Sequence, residues 1–158
     1  MPTTPDELFC LLIALDGDRL LLPRSGVAEV MAWTEPAAMA GAPAWYLGTV
    51  SWNGQTVPVL SFEVASGRAA AAPSGRTRIV LVHALGERIP SRIFGIVTQG
   101  FPQTVRVTRE VLKADPTRHF AEAGPALCQV RIINEVPLIP DLEWLESMIA
   151  DETVVGTG

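Results

Sequence analysis

The chain has 158 residues, 48% of them hydrophobic, and its 17 acidic and 12 basic side chains give a formal net charge of −5. This composition predicts a globular protein with a sizeable core, and its negative charge argues against nucleic acid as the main partner. The sequence has neither a run of about 18 apolar residues nor a basic secretory signal, so we expect a cytoplasmic protein.

The body of the chain opens with a predicted β-hairpin. Two apolar runs, residues 8–15 and 19–23, are separated by an Asp-Gly-Asp sequence that favours a turn. A short bend at residues 25–30 leads into a third strand, and a connection rich in proline and alanine follows at residues 36–43.

A second hairpin follows, with strands predicted at residues 46–52 and 55–62. Asn53 and Gly54 join them, and this pair is the strongest short hairpin signal because both tolerate the positive φ of a type I′ turn. Pro58 has no N–H to donate, so its strand should lie at an edge, a bulge or a corner of the sheet.

The second half of the chain repeats the pattern of strands and turns. A helical turn is predicted at residues 62–66 and an exposed, mobile linker at residues 67–75. Residues 77–84 and 92–98 then form a predicted hairpin, and a further strand follows at residues 101–107.

The last third is predicted to contain two helices and one hairpin. Residues 108–113 fit a short helix, and residues 127–139 fit a hairpin that turns near Asn134. Asp141 is the predicted N-cap of a closing helix at residues 142–150, with an apolar face that contains Leu142, Leu145 and Ile149. Flexible tails are predicted at residues 1–7 and 151–158.

Two stretches of the sequence echo each other. Residues 50–60 and 130–139 share a strand, a turn that contains asparagine and a Val-Pro pair, and Pro58 and Pro137 lie at corresponding places. An earlier hairpin precedes each of them. This repeat predicts two similar small β-barrels, separated near the linker at residues 67–75.

Candidate catalytic groups are few. Cys10 and Cys128 lie in apolar runs without a metal-ligand spacing, so both are predicted to be buried thiols, and His83 is predicted to be a buried core residue. A small enzyme or ligand-binding barrel would have to use His119 with Glu122. Neither a catalytic triad nor a metal site can be assembled from these residues.

Large aromatic side chains concentrate in one quarter of the sequence. A small barrel cannot bury all of them completely, and such rings are favoured where one side is apolar and the other is wet. They are therefore either ordinary core or part of a protein-binding face: Trp33, Trp45, Tyr46 and Trp52.

Taken in order, these motifs resemble the CheW family of adaptors in bacterial chemosensory arrays, over residues 8–149. The resemblance depends on the ordered set more than on any one motif. The matching stretches are Gly26-Val-Ala-Glu-Val30, Pro43-x-x-x-x-Gly48, Asn53-Gly54, Val57-Pro58-Val59, Thr77–Val82, Phe94-Gly-Ile-Val97 and the closing helix.

The resemblance implies a mainly β fold, in which two intertwined five-stranded SH3-like barrels form one domain with short helices and a C-terminal helix. It implies no catalysis, no cofactor and no metal. The implied partners are a methyl-accepting chemoreceptor and the regulatory domain of a CheA-type histidine kinase. The adaptor would lie at receptor arrays on the inner face of the membrane without inserting into it.

The resemblance also implies a receptor-binding groove between the barrels. Its residues would be Val27, Glu29, Val30, Gly48, Asn53, Gly54 and Gly95.

Two departures from the family pattern fall in the second hairpin. Asn53 stands where the family usually has an arginine and Ser61 where it has an aspartate, so the usual ion pair with Glu29 cannot form. These departures suggest a divergent adaptor that resembles the ChpC or PilI type of type IV pilus (twitching-motility) systems. The alternative is a decoy that binds one partner only and caps array growth.

Overall fold

The computed structural model describes residues 7–157, and within this range the chain forms two β-sheets and a long C-terminal helix. The predicted tail at residues 1–6 lies outside the described residues. None of the described helices is long and apolar enough to cross a membrane. The strands are β1 (Glu7–Ala14), β2 (Arg19–Pro23), β3 (Val27–Ala32), β4 (Tyr46–Trp52), β5 (Gln55–Leu60), β6 (Arg78–His83), β7 (Ile93–Thr98), β8 (Gln103–Thr108), β9 (Lys113–Ala114), β10 (Ala126–Arg131) and β11 (Leu138–Pro140); a 3-10 turn spans Arg24–Gly26, and the helices are α1 (Phe62–Ala65) and α2 (Leu142–Thr157).

The two sheets share one topology. The first has the order β8-β1-β2-β11-β10-β9 and the second the order β3-β6-β7-β5-β4. Without the two-residue strand β9, each sheet has five strands. An edge strand comes first and two hairpins follow it, in the same order in both sheets. The sequence echo therefore corresponds to a real structural repeat.

The repeats exchange strands, so the linker is not a boundary between sheets. The hairpin β1–β2 lies in the first sheet, whereas β3, β4 and β5 from the same half of the chain lie in the second. In return, the second half places β6–β7 in the second sheet and β8, β10 and β11 in the first. The two sheets therefore do not divide at residues 67–75, as the repeat predicted, and the mainly β fold implied by the family resemblance is confirmed.

The two Val-Pro strands occupy equivalent positions. Each pairs antiparallel with its own hairpin partner and parallel with a strand from the other half of the chain: β5 with β7, and β11 with β2. Pro58 lies just before the parallel pairing begins at Val59. Its missing N–H therefore removes no bond to β7, although β5 is an inner strand and not an edge.

Three apolar cores hold the structure together. One lies between the sheets and under α2, and each sheet also encloses a core of its own. Strand β6 illustrates the division, because Val80 and Val82 face the central core while Ile79 and Leu81 face the core of the second sheet. This alternation follows from the two-residue period of a strand.

Helix α2 covers the central core with the face predicted from the sequence. Leu145 and Ile149 are buried, and Leu142 packs beside them. Asp141 is the N-cap, since its Oδ1 accepts a hydrogen bond of 2.9 Å from the Trp144 amide. The helix continues beyond the predicted end at residue 150 to Thr157, because neither proline nor glycine interrupts the sequence before residue 156.

Residues 108–113 do not form the predicted short helix. The amides of Val111 and Leu112 both donate to the Thr108 carbonyl, which makes a single turn, and the chain then extends into β9. Strand β9 pairs with β10, with Lys113 opposite Arg131. Sheet pairing therefore outweighs the local helix preference here.

Two predictions of burial were also wrong. Cys10 is buried as predicted, but Cys128 is exposed because β10 has a register irregularity between Ala126 and Cys128. His83 is exposed as well. It is the last residue of β6, so it lies beyond the two cores that bury the preceding residues of that strand.

Candidate partner-binding site

A single row of paired residues crosses the second sheet and joins three residues of the predicted groove. Glu29 on β3 pairs with Leu81, Leu81 with Gly95, Gly95 with Val59, and Val59 with Gly48 on β4. Paired positions on neighbouring strands lie side by side. The row therefore places Glu29 and Gly48 at opposite edges of the sheet, with Gly95 at its centre.

Both ends of this row coincide with β-bulges. The pairing of β3 shifts register between Val27 and Glu29, and that of β4 shifts between Tyr46 and Gly48. A bulge bends its strand and redirects the side chain that follows. The two edge strands thus depart from regular geometry at residues that the family resemblance places in the groove.

Gly48 has a structural reason to be glycine. Its φ is +132°, and a Cβ at this position would lie 2.1 Å from the Ala37 carbonyl oxygen. That carbonyl accepts a 3.1 Å hydrogen bond from the Thr49 amide, while the Ala37 amide donates to the Thr49 carbonyl at 2.8 Å. The missing side chain lets the segment around Ala37 pair with the free edge of β4.

Glu29 is bound by Trp52 instead of by an arginine. The Trp52 indole Nε1 donates a hydrogen bond to Glu29 Oε2, and this contact joins the two edge strands of the second sheet. The absence of the arginine ion pair was predicted, but its replacement was not. The available signal was Trp52 itself, which directly precedes the Asn-Gly turn.

The Asn53-Gly54 turn has the predicted conformation. Asn53 has φ +47° and Gly54 has φ +74°, and the last strand pair before the turn joins Trp52 with Gln55. Both turn residues are exposed. They are therefore open to a partner, beside the Trp52–Glu29 contact.

The valines of β3 lie on the opposite face from its other apolar residues. Val27 and Val30 are half-buried and pack against the central core between the sheets, whereas Ala28 and Met31 pack on the core of the second sheet. The valines thus present a partly open apolar surface beside the junction of the two sheets.

Gly95, like Gly48, is buried, and it faces a packed interior. A Cβ at this position would lie 2.7 Å from Ile79 Cγ2 and 3.1 Å from Val59 Cγ2. The structure therefore gives Gly95 a packing role inside the second sheet. The accessible members of the set are Val27, Glu29, Val30, Asn53 and Gly54.

The residues considered for catalysis do not form a reactive site in the described part of the chain. His119 and Glu122 are both exposed. Between residues 7 and 157 no group of three or more His, Cys, Asp or Glu side chains is arranged to hold a metal ion. Asp115 has a lowered pKa because the hydroxyl and amide of Thr117 donate to its carboxylate, with a smaller contribution from Arg131. This contact fixes a loop on the first sheet.

Comparison with known proteins gives consistent results. A family model described as the CheW-like domain matches residues 10–146. The chain is 27% identical over 122 residues to the chemotaxis protein CheW of Rhizobium meliloti (strain 1021). The aligned region covers 70% of this chain and 76% of that protein. It is 24% identical over 90 residues to the probable chemotaxis protein CheW of Rhizobium etli. This aligned region covers 57% of this chain and 55% of that protein.

The fold also matches a solved structure. The scaffolding protein TtCheW from Thermoanaerobacter tengcongensis superposes with a TM-score of 0.74 over 87% of this chain and 91% of that one, at 16% sequence identity. At this level of identity the match shows the fold alone.

Proposed function

This chain belongs to the CheW-like domain family, and we propose that it couples a methyl-accepting chemoreceptor to the regulatory domain of a CheA-type histidine kinase. Members of the family are non-enzymatic, and the chain is a CheW-like adaptor of chemotaxis signalling. The identity of the two partners and the surface that each one contacts are the proposed part.

The surface proposed for the receptor consists of the accessible groove residues on β3 and the Asn-Gly turn. Val27 and Val30 offer half-buried aliphatic area next to the junction of the sheets, and Glu29 adds a carboxylate oriented by Trp52. A partner helix with an apolar stripe could cover the valines, and a polar group beside the stripe could contact Glu29. The observation that supports this surface is the hydrogen bond from Trp52 to Glu29, which brings the Asn-Gly turn beside β3.

Binding to the purified partners tests the proposal. The full chain should bind both the regulatory domain of its kinase and the cytoplasmic tip of its receptor, and a ternary complex should form. Val30→Asp should weaken receptor binding by about tenfold or more, because it places a charge in the apolar surface. Kinase binding by that variant should change little. Failure of the chain to bind either partner would contradict the proposal.

A matched control is available elsewhere on the surface. Val136→Asp introduces the same change at a valine that is 47% exposed, in the connection between β10 and β11 of the other sheet, and receptor binding should be unchanged.

The alternative function is a decoy that engages one partner only. It would be favoured if the natural chain binds the kinase and does not bind the receptor.

The cellular setting is a further proposal. The replacement of the turn arginine by Asn53 supports a divergent adaptor of the ChpC or PilI type, which would serve a type IV pilus system at the inner face of the membrane. Deletion of the gene should then impair twitching and leave flagellar swimming intact. The opposite pattern would assign the adaptor to flagellar chemotaxis.

A further inference from the structure

The segment predicted to be a mobile linker lies over a cavity that is partly open to solvent. We call residues 68–77 the strap. Ala71 and Pro73 of the strap cover a space of about 200 Å³, and Trp33, Leu47 and Val97 form its wall on the second sheet. The strap is fixed at its start, where Arg68 Nη2 lies 2.9 Å from Asp18 Oδ2.

A buried carboxylate also lines this cavity. Glu63 in α1 is only 1% exposed, and its Oε2 accepts hydrogen bonds from the Asp16 amide at 3.0 Å and from Gln99 Nε2 at 3.2 Å. None of the ion pairs found among the described residues involves this carboxylate.

A carboxylate without an ion pair is an unusual group for so apolar a cavity. Burying a carboxylate without a neighbouring cation is costly, and buried acids are normally paired or bind an ion. Apart from Ser61, Thr77 and Gln99, the side chains that line the cavity beside Glu63 are apolar. The site therefore combines one negative group with room for an uncharged body.

We propose that this cavity binds a small primary ammonium ion that carries an apolar ring. The ammonium would pair with Glu63, and the ring would lie between the strap and the wall formed by Trp33, Leu47 and Val97. A cavity of roughly 150 Å³ accepts benzene, so about 200 Å³ accommodates a ring with a short ammonium arm. The indole of Trp33 adds a surface that attracts cations.

The chemistry of the site defines its selectivity. A neutral ring of the same shape would keep the apolar contacts and lose the ion pair with Glu63. An aromatic carboxylate would meet a like charge beside apolar walls and should be excluded. This site is separate from the groove on β3, so its occupancy does not depend on the proposed coupling role.

Calorimetric titration of the full chain with benzylamine tests the proposal. We expect one molecule of benzylamine to bind per chain. Benzyl alcohol should bind more weakly by roughly tenfold or more, and benzoate should not bind. Glu63→Gln should remove the preference for benzylamine over benzyl alcohol. Glu87→Gln is the matched control, because Glu87 is an exposed glutamate outside the cavity, and it should leave the preference intact.

A second variant keeps the test decisive if Glu63→Gln fails to fold. Ala71→Leu fills the cavity from the strap without touching the carboxylate, and it should abolish benzylamine binding while circular dichroism stays unchanged. Equal affinity for benzylamine and benzyl alcohol, or no binding of benzylamine, would overturn the proposal. Binding that survives Ala71→Leu would overturn it too.

Discussion

Trp52 and Glu29 show how one side chain can take over the place of another in the proposed receptor surface. The indole has a single N–H and no charge, so it orients the Glu29 carboxylate without neutralising it. An arginine at the neighbouring turn position would offer five donors and a positive charge. The carboxylate therefore remains available to a cationic partner group, while its position is fixed by the aromatic ring.

Gly95 tests whether the second sheet tolerates any side chain at the centre of the row. Gly95→Ala would place a methyl group 2.7 Å from Ile79 Cγ2, and we expect it to lower the free energy of unfolding by about 1–3 kcal/mol. Gly26→Ala is the control, because no atom lies within 4 Å of its Cβ position; it should change stability by less than about 1 kcal/mol. Urea denaturation of both variants makes the comparison. Equal stability would contradict the assigned packing role.

At the scale of elements, Glu146 connects α2 to the hairpin β6–β7. Its carboxylate is 4% exposed and accepts hydrogen bonds from the amides of Leu85 and Gly86 at 2.8 to 3.1 Å. A helix that covers the central core is thus bonded to the turn of the second sheet. The contact holds Leu85, which is 67% exposed, in a defined position on the surface.

Removal of this carboxylate should loosen the turn. Glu146→Ala leaves two amides without partners, and we expect a loss of about 1–3 kcal/mol in the free energy of unfolding. Faster hydrogen exchange at the Leu85 and Gly86 amides should accompany it. Glu143→Ala removes an exposed glutamate from the same helix and should cost only about 0.5 kcal/mol. Similar losses in both variants would show that helix propensity, and not the contact, is responsible.

Most elements were predictable because their signals are local. The Asn-Gly turn, the apolar runs and the Asp141 cap each specify structure within a few residues, and all three appear as predicted. The turn after β8 was missed because the strand pairing that decides it, β9 with β10, involves residues well beyond the predicted helix.

The candidate site was predictable only in part, for the same reason. Positive φ at the Asn-Gly turn can be read from the sequence, but the contacts that require glycine at two other positions cannot. Gly48 meets the Ala37 carbonyl, and Gly95 meets Ile79 on a neighbouring strand. The bond from Trp52 to Glu29 likewise joins residues 23 positions apart in the chain.

At the scale of the whole molecule, the exchange of strands makes each half of the chain depend on the other. Edge strand β3 pairs with β6, which follows the linker, and edge strand β8 pairs with β1, which precedes it. Both parallel pairs, β5 with β7 and β11 with β2, also join the two halves. A half alone would keep hairpins and lose every one of these pairings.

Division of the chain within the strap should therefore give two fragments that fold only together. Expressed separately, residues 1–71 and 72–158 should each lack a cooperative thermal transition, because isolated hairpins are marginally stable in water. Mixed in equal amounts, they should regain the far-ultraviolet circular dichroism and the dispersed amide NMR spectrum of the intact chain. A cooperative transition in either fragment alone would contradict this dependence and would favour two barrels that fold separately. Because both the central core and the second sheet's core draw on residues from each half, we expect the mixture to unfold in a single transition, whichever probe follows it.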